Sequence, residues 1–209
     1  VSLDGGGLGQ IDAVRQQVQS HPDVVGVAPF VASQALLARG EDMKGVLVRG
    51  IDPDREGQVS DLVAGWSQDV RGQLESGQFG VILGLELARQ LGVRVGDAVT
   101  LIAPSGQVTP VGVMPRLRQV TVHSIFDSGH YEYDASLALL HMADAQRIFR
   151  LEAPTGVRLK IKDSQHARSV ADDLSVQLGP DVIVRDWTRQ NRTWFAAVQV
   201  EKRMMFIIL

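Results

Sequence analysis

The spacing of apolar residues changes from helical to strand-like near the start of this chain, and such changes limit the possible folds. From Leu8 to Gln19 the apolar residues recur every three or four positions, which predicts an amphipathic helix. The segments VVGVAPFVASQALLA (24–38) and KGVLVRGI (44–51) instead predict strands, the first because its apolar and small residues alternate. Residues 54–80 are predicted to be helical and irregular.

The middle of the chain, residues 80–140, is rich in predicted strands. VILGLELARQLGVRVGDAVTLIAP (81–104) predicts a short strand, a helix near Leu85–Leu91 that Gly92 ends, and a strand at Ala98–Ile102. Two more strands are predicted, Arg118–Phe126 and Ser136–Leu140. The polar SGHYEYD between them is interpreted as a solvated hairpin tip.

After residue 141 the pattern mixes helices and strands again. MADAQRIF (142–149) and Ser164–Leu178 predict helices, whereas GVRLKIK (156–162) and DVIVRDW (181–187) predict strands. A last helix is predicted from Gln190 onward. Because βαβ-like pieces flank a β-rich middle, the sequence predicts an α+β fold with an inserted β module.

Composition and spacing argue against several classes of function. The net charge is -3 and the 21 Lys and Arg residues are spread along the 209-residue chain, so a nucleic-acid partner is not expected. Cysteine is absent and the five histidines have no metal-ligand spacing, so neither a metal nor a cofactor is expected. No nucleophile elbow, P-loop or dinucleotide fingerprint occurs. No set of catalytic residues can therefore be named.

The C-terminal residues suggest a membrane. Met204–Leu209 is an unbroken apolar run that follows Glu201, Lys202 and Arg203. A membrane-spanning helix needs about 20 apolar residues, so we expect residues 204–209 to begin such a helix. The alternative is a C-terminal helix that packs in the core of the domain.

One segment, Ala103–Arg118, departs from the patterns of both helix and strand. Three prolines and two glycines interrupt an apolar run, which predicts a loop that neither continues a helix nor pairs as a central strand. Exposed apolar loops are typical of binding surfaces. The alternative is a loop folded over an edge of the core. Arg116 and Arg118 are expected on one side of the next strand, as partner contacts or as ordinary solvated charges.

Five segments in this order resemble the lipoprotein-releasing permeases LolC and LolE, whose periplasmic domains are similar in fold to that of the permease MacB. They are VVGVAPFV with VRGIDP, VILGLELARQLGVRVGDAVTLIAP, GQVTPVGVMPRLRQ, FDSGHYEYDASLALLHMADAQRIF and DWTRQNRTWFAAVQVEKRMMFIIL. The resemblance extends over nearly the whole chain.

This resemblance implies a domain between the first two membrane spans of an inner-membrane permease in a Gram-negative bacterium. A βαβ-type Porter subdomain would comprise residues 1–79 and 141–203, with an inserted β-rich Sabre subdomain at 80–140. The implied partners are the periplasmic chaperone LolA, the ATPase subunit LolD, a second permease subunit, the lipoprotein substrate and the inner membrane. ATP hydrolysis would occur in LolD, so the chain itself is not expected to be an enzyme.

The resemblance also assigns a LolA-binding loop, the Hook, and an adjoining Pad of basic or polar residues. The Hook, centred on Pro110, comprises Gly106, Gln107, Val108, Thr109, Pro110, Val111, Gly112, Val113, Met114 and Pro115. The Pad comprises Arg116 and Arg118. Leu117 stands where the family pattern suggests a polar residue.

Two other functions are compatible with parts of the sequence. A MacB-like efflux permease would use this domain for mechanotransmission and adaptor binding, and it would not need a proline-rich loop. A soluble enzyme would need titratable groups that converge in a pocket. LolC-like, LolE-like and single dual-role subunits are not distinguished.

Overall fold

The computed structural model describes residues 10–109 and 112–186, with the backbone alone for residues 104–109 and 112–114. Within these residues the chain forms seven strands. They are β1 (Val24–Arg39), β2 (Asp42–Ile51), β3 (Gly80–Gly84), β4 (Ala98–Thr109), β5 (Gly112–Phe126), β6 (Leu137–His141) and β7 (Gly156–Ile161).

Eight α-helices lie between and beside these strands in the described residues. They are α1 (Ile11–Gln19), α2 (Pro53–Glu56), α3 (Asp61–Ala64), α4 (Gln68–Gly72), α5 (Leu85–Gln90), α6 (Tyr131–Ser136), α7 (Met142–Phe149) and α8 (Ala167–Leu178). A short 3₁₀ turn, Ser164–His166, leads into α8.

Six of the strands close into a barrel. Hydrogen bonds join them in the order β2, β6, β3, β5, β4, β1, and β1 pairs again with β2 through Phe30–Arg39, which completes the ring. The pairs β2–β6 and β3–β5 are parallel and the others are antiparallel. Closure leaves few free sheet edges, which are otherwise sites of unwanted pairing.

Alternate residues of the six barrel strands fill the barrel and form the largest core cluster, as expected for strands with one buried face. Leu87 of α5, Leu91 directly after this helix and Phe149 of α7 complete this cluster. At Gly50 on β2, an added Cβ would lie 2.5 Å from the Cβ of Ala145 on α7. Glycine at position 50 is therefore what lets α7 approach the barrel.

Helices α3 and α4 cover the outer face of the barrel at β2, β3 and β6. Val63, Leu74 and partly buried Trp66 pack there against strand residues such as Ile82 and Leu139. This second cluster is small. As predicted, residues 54–80 consist of short helices and irregular segments.

The N-terminal half of β1 leaves the barrel and forms a separate lobe with β7, α1 and α8. Its core contains Val18, Val27, Val170 and Leu174. Two ion pairs connect β7 to the helices beside the barrel. Arg158 lies 3.0 Å from the buried Glu56 of α2, and Lys160 lies 2.7 Å from Asp61 of α3.

Two residues of this region have shifted pKa values. The hydrogen bond from Lys160 lowers the pKa of the Asp61 carboxyl from its ordinary value. Burial lowers the pKa of Arg49 on β2, and the neighbouring charge of Arg158 acts in the same direction. Glu56 opposes that shift, which shows how closely these three charged side chains are grouped.

Two of the local predictions are wrong. Residues 128–134 are not a hairpin tip, because β5 and β6 each pair with other strands and α6 begins at Tyr131. Asp134 is buried there and accepts hydrogen bonds from the backbone N–H and hydroxyl of Ser128. The predicted strand at 181–187 is reduced to one bridge residue, Val182, within the described residues 181–186.

The predicted insertion 80–140 has no sheet of its own. Strands β3 to β5, with β6 at its end, close the barrel together with β1 and β2. The division into 1–79 with 141–203 and 80–140 remains a prediction. The ring of strands combines β1 and β2 from the first predicted segment with strands of the middle segment.

Candidate partner-binding site

Strands β4 and β5 continue beyond the barrel as a two-stranded arm. On its other side, β4 pairs with β1 only at Thr100–Ile102, and β5 pairs with β3 only from Thr121 onward. Past these points, the described backbone of each strand is paired with the other alone, and the last pair is Thr109 with Gly112. At about 3.3 Å per residue, the arm extends roughly 20 Å from the barrel.

The arm corrects the prediction that Ala103–Arg118 is an unpaired loop. The ladder is interrupted between the pairs Ala103–Arg116 and Gln107–Met114, which leaves residues 104–106 opposite Pro115. Pro104 and Pro115 both lie in this interruption, where a missing N–H breaks no regular pair. Both strands are also edge strands there, which is the position in a sheet that tolerates proline.

The residues assigned to the Hook divide between the two arm strands. Gly106–Thr109 end β4 and Gly112–Pro115 begin β5, and Pro115 is exposed. Pro110 and Val111 lie outside the described residues. The assigned Hook therefore coincides with the far end of a hairpin and not with a loop that lies on the barrel.

The two Pad arginines lie at the base of the arm, on the same face of β5. Arg116 is opposite Ala103 and Arg118 is opposite Leu101. Cross-strand partners share a face, and both of these partners are wholly buried in the barrel core. The arginines thus continue the core-facing side of the barrel at the place where the core ends. Leu117 points the other way and is 65% exposed.

Arg118 rests on an aromatic ring. Its guanidinium carbon lies 3.6 Å from the ring centroid of Phe79, the residue just before β3. Phe79 is half-buried and packs against the barrel core. Among the described side chains, no carboxylate forms an ion pair with Arg116 or Arg118. Arg118 is exposed, whereas Arg116 is half-buried and its Nε is buried without a hydrogen-bond partner among the described atoms.

Asp144 of α7 holds the segment that carries this ring. It is completely buried, and its carboxylate accepts hydrogen bonds from the backbone N–H groups of Gly77 (2.7 Å) and Phe79 (3.1 Å). Arg147, one turn along the helix, lies 3.2 Å from the same carboxylate. No short sequence pattern marks Phe79 or Asp144, because their contacts join residues about 40 and 65 positions apart.

Two surface clefts lie away from the arm. One, of about 280 Å³, lies beside Trp66 and Phe126. The other, of about 440 Å³, is polar and lies between α2 and α4, with His141 at its wall. Within the part of the chain that the structure describes, no three His, Asp or Glu side chains form a group that could hold a metal ion.

Comparison with known families decides the classification. Residues 4–176 match the family of MacB-like periplasmic core domains. The chain belongs to this family.

Among curated members related in sequence, the lipoprotein-releasing system transmembrane protein LolC of Neisseria meningitidis serogroup B is 44% identical over 197 residues, which cover 91% of this chain and 46% of that protein. LolE of Haemophilus influenzae is 27% identical over 204 residues, which cover 94% of this chain and 47% of that protein. The chain therefore spans less than half the length of these relatives.

A solved structure agrees with the fold. The extracellular domain of the noncanonic ABC-type transporter YknZ from Gram-positive bacteria superposes with a TM-score of 0.53 at 13% identity, over 80% of this chain and 81% of that one. The resemblance to LolC and LolE and the α+β fold of MacB-like periplasmic domains are thus confirmed.

The residues predicted to enter a membrane are the last six of the sequence. Met204–Leu209 and the helix predicted from Gln190 lie outside the described residues. Within residues 10–109 and 112–186, no helix is long and apolar enough to cross a membrane.

Proposed function

We propose that this MacB-like periplasmic core domain belongs to a LolC-type permease subunit of the inner membrane and recruits the chaperone LolA. The β4–β5 arm, with Arg116 and Arg118 at its base, is the observation that carries the proposal. A protruding arm presents both strand edges and its far end to a partner. Identities of 42–44% to three LolC proteins, each over at least 90% of the chain, favour the LolC-type subunit.

In this proposal the Hook residues Gly106–Pro115 enter the apolar cavity that a lipoprotein chaperone must offer to acyl chains. Apolar contact there gains about 25 cal/mol for each Å² removed from water. Arg116 and Arg118 then meet acidic or carbonyl groups at the rim, where charges act more on the association rate than on affinity. The full transporter would add LolD for ATP hydrolysis, a second permease subunit and the lipoprotein substrate in the inner membrane.

The direct test is the affinity of the 209-residue chain for LolA from the same organism, measured by calorimetry. Val111→Glu should weaken binding by about 2 kcal/mol or more, because a few central anchors dominate such interfaces. Val176→Glu is the matched control, since the same change on the exposed face of α8 (Val176 is 87% exposed) lies on another element.

Arg116→Ala should mainly slow association and reduce its dependence on salt. Equal binding by wild-type chain and Val111→Glu would reject the arm as the docking element. Absence of LolA binding, together with binding to a periplasmic efflux adaptor, would favour the MacB-type alternative.

A further inference from the structure

We infer that Phe79 and Asp144 form a platform that holds Arg118 ready for its partner, so that Phe79 is a positioning residue for docking. The inference deepens the proposed function and rests on it for the identity of the partner. The platform is defined here as the ring of Phe79 and the carboxylate of Asp144 that holds its backbone.

The ring of Phe79 contacts both the barrel core and the side chain of Arg118. Phe79 packs against the barrel core and carries the guanidinium of Arg118 at 3.6 Å. An arginine stacked in this way is attracted by the ring electrons, while its N–H groups point outward in the plane of the guanidinium. A partner's carboxylate or carbonyl can therefore be bound without displacing the ring.

The backbone of Phe79 has an unusual conformation that the platform maintains. Its φ is 53°, in the left-handed region that side-chain-bearing residues rarely adopt. The Asp144 carboxylate accepts the Phe79 N–H at 3.1 Å, and the Phe79 carbonyl accepts the N–H of Thr121 at 3.2 Å. Thr121 and Arg118 lie on the same strand, β5. The ring and the arginine are thus fixed to each other by both backbone and side-chain contacts.

Such fixing has a functional consequence. An exposed arginine loses side-chain freedom when it binds a partner, and this loss opposes affinity. An arginine already held on a ring has lost part of that freedom before the partner arrives. Removing the ring should therefore weaken LolA binding only when Arg118 is present.

A double-mutant cycle tests this. LolA affinity is measured for wild-type chain, Phe79→Leu, Arg118→Ala and the double variant. Phe79→Leu should weaken binding about two- to fivefold, the range of an exposed cation–π contact. In the Arg118→Ala background it should have no further effect, whereas a general structural defect would weaken both backgrounds equally.

Phe30→Leu is the matched control, because Phe30 also faces an arginine, Arg49 at 5.9 Å, on a different part of the barrel. It should leave LolA affinity unchanged. A second measurement needs no partner. In NMR spectra of the chain, the Nε–H resonance of Arg118 should be shifted by the ring current of Phe79 and should lose this shift in Phe79→Leu.

The outcomes distinguish a failure of the platform from a failure of the proposed function. If Arg118→Ala weakens binding but Phe79→Leu does not, the platform is rejected and the proposed function stands. If wild-type chain does not bind LolA at all, the proposed function fails, and the NMR shift alone then decides whether the ring positions the arginine. An unshifted Arg118 resonance in wild-type chain would overturn the inference.

Discussion

Replacing the buried Asp144 with alanine should destabilise the chain by about 3 kcal/mol. The carboxylate is completely buried and accepts from two backbone N–H groups, those of Gly77 and Phe79, and from Arg147. A hydrogen bond to a charged group contributes about 1.5–3 kcal/mol, and a buried donor left without a partner costs about 1–3 kcal/mol. Gly77 is exposed and can turn to water, so most of the loss comes from Phe79.

Equilibrium urea unfolding followed by circular dichroism measures this loss. With a slope of about 2–3 kcal/mol per molar urea, the midpoint should fall by about 1 M. Asp144→Asn keeps one acceptor oxygen and should lose less. Arg147→Ala removes only the partner that is 58% exposed, and it should cost less than about 1 kcal/mol. Equal losses for Asp144→Ala and Arg147→Ala, or a wild-type midpoint for Asp144→Ala, would refute the reasoning.

Three further predictions concern residues on the barrel and on the helices beside it. Gly50→Ala should destabilise the chain by about 2 kcal/mol in the same urea assay, because its Cβ would lie 2.5 Å from a side chain of α7; a neutral result would mean that α7 can move. Glu56→Gln should cost about 2 kcal/mol, since it removes the charge with which the buried Glu56 pairs with the 40% exposed Arg158, and unchanged stability would contradict that pairing. An NMR titration should place the pKa of Asp61 below the usual value of about 3.9. Lys160→Met should raise it, and an unaltered value would show that the contact is not populated.

Short-range patterns in the sequence predicted several elements closely. MADAQRIF was predicted as a helix and is α7, Met142–Phe149. The strand, helix and strand predicted within residues 81–104 are β3, α5 and the first part of β4. These predictions succeed because residues a few positions apart decide them, through the period of the apolar residues and the glycine that ends the helix.

The arm and the helix α6 show where local patterns fail. Prolines in Ala103–Arg118 argued against pairing, yet pairing occurs because the ladder is interrupted opposite Pro115. Residues 131–136 form a helix that the polar pattern of SGHYEYD does not predict, and buried Asp134 accepts two hydrogen bonds from Ser128. Both outcomes depend on strand register and on side-chain burial, and these are set by contacts with other parts of the chain.

The sequence by itself determined the class of fold, the family resemblance and the location of the candidate Hook and Pad residues in the chain. Only the tertiary structure decided that β1 pairs with β4 and β2 with β6, which closes the ring, and that Arg118 lies on Phe79. The physical reason is distance along the chain. Apolar period and turn chemistry act over a few residues, whereas barrel closure and the Asp144 contact join residues many tens of positions apart, so their energies appear only when the chain is folded.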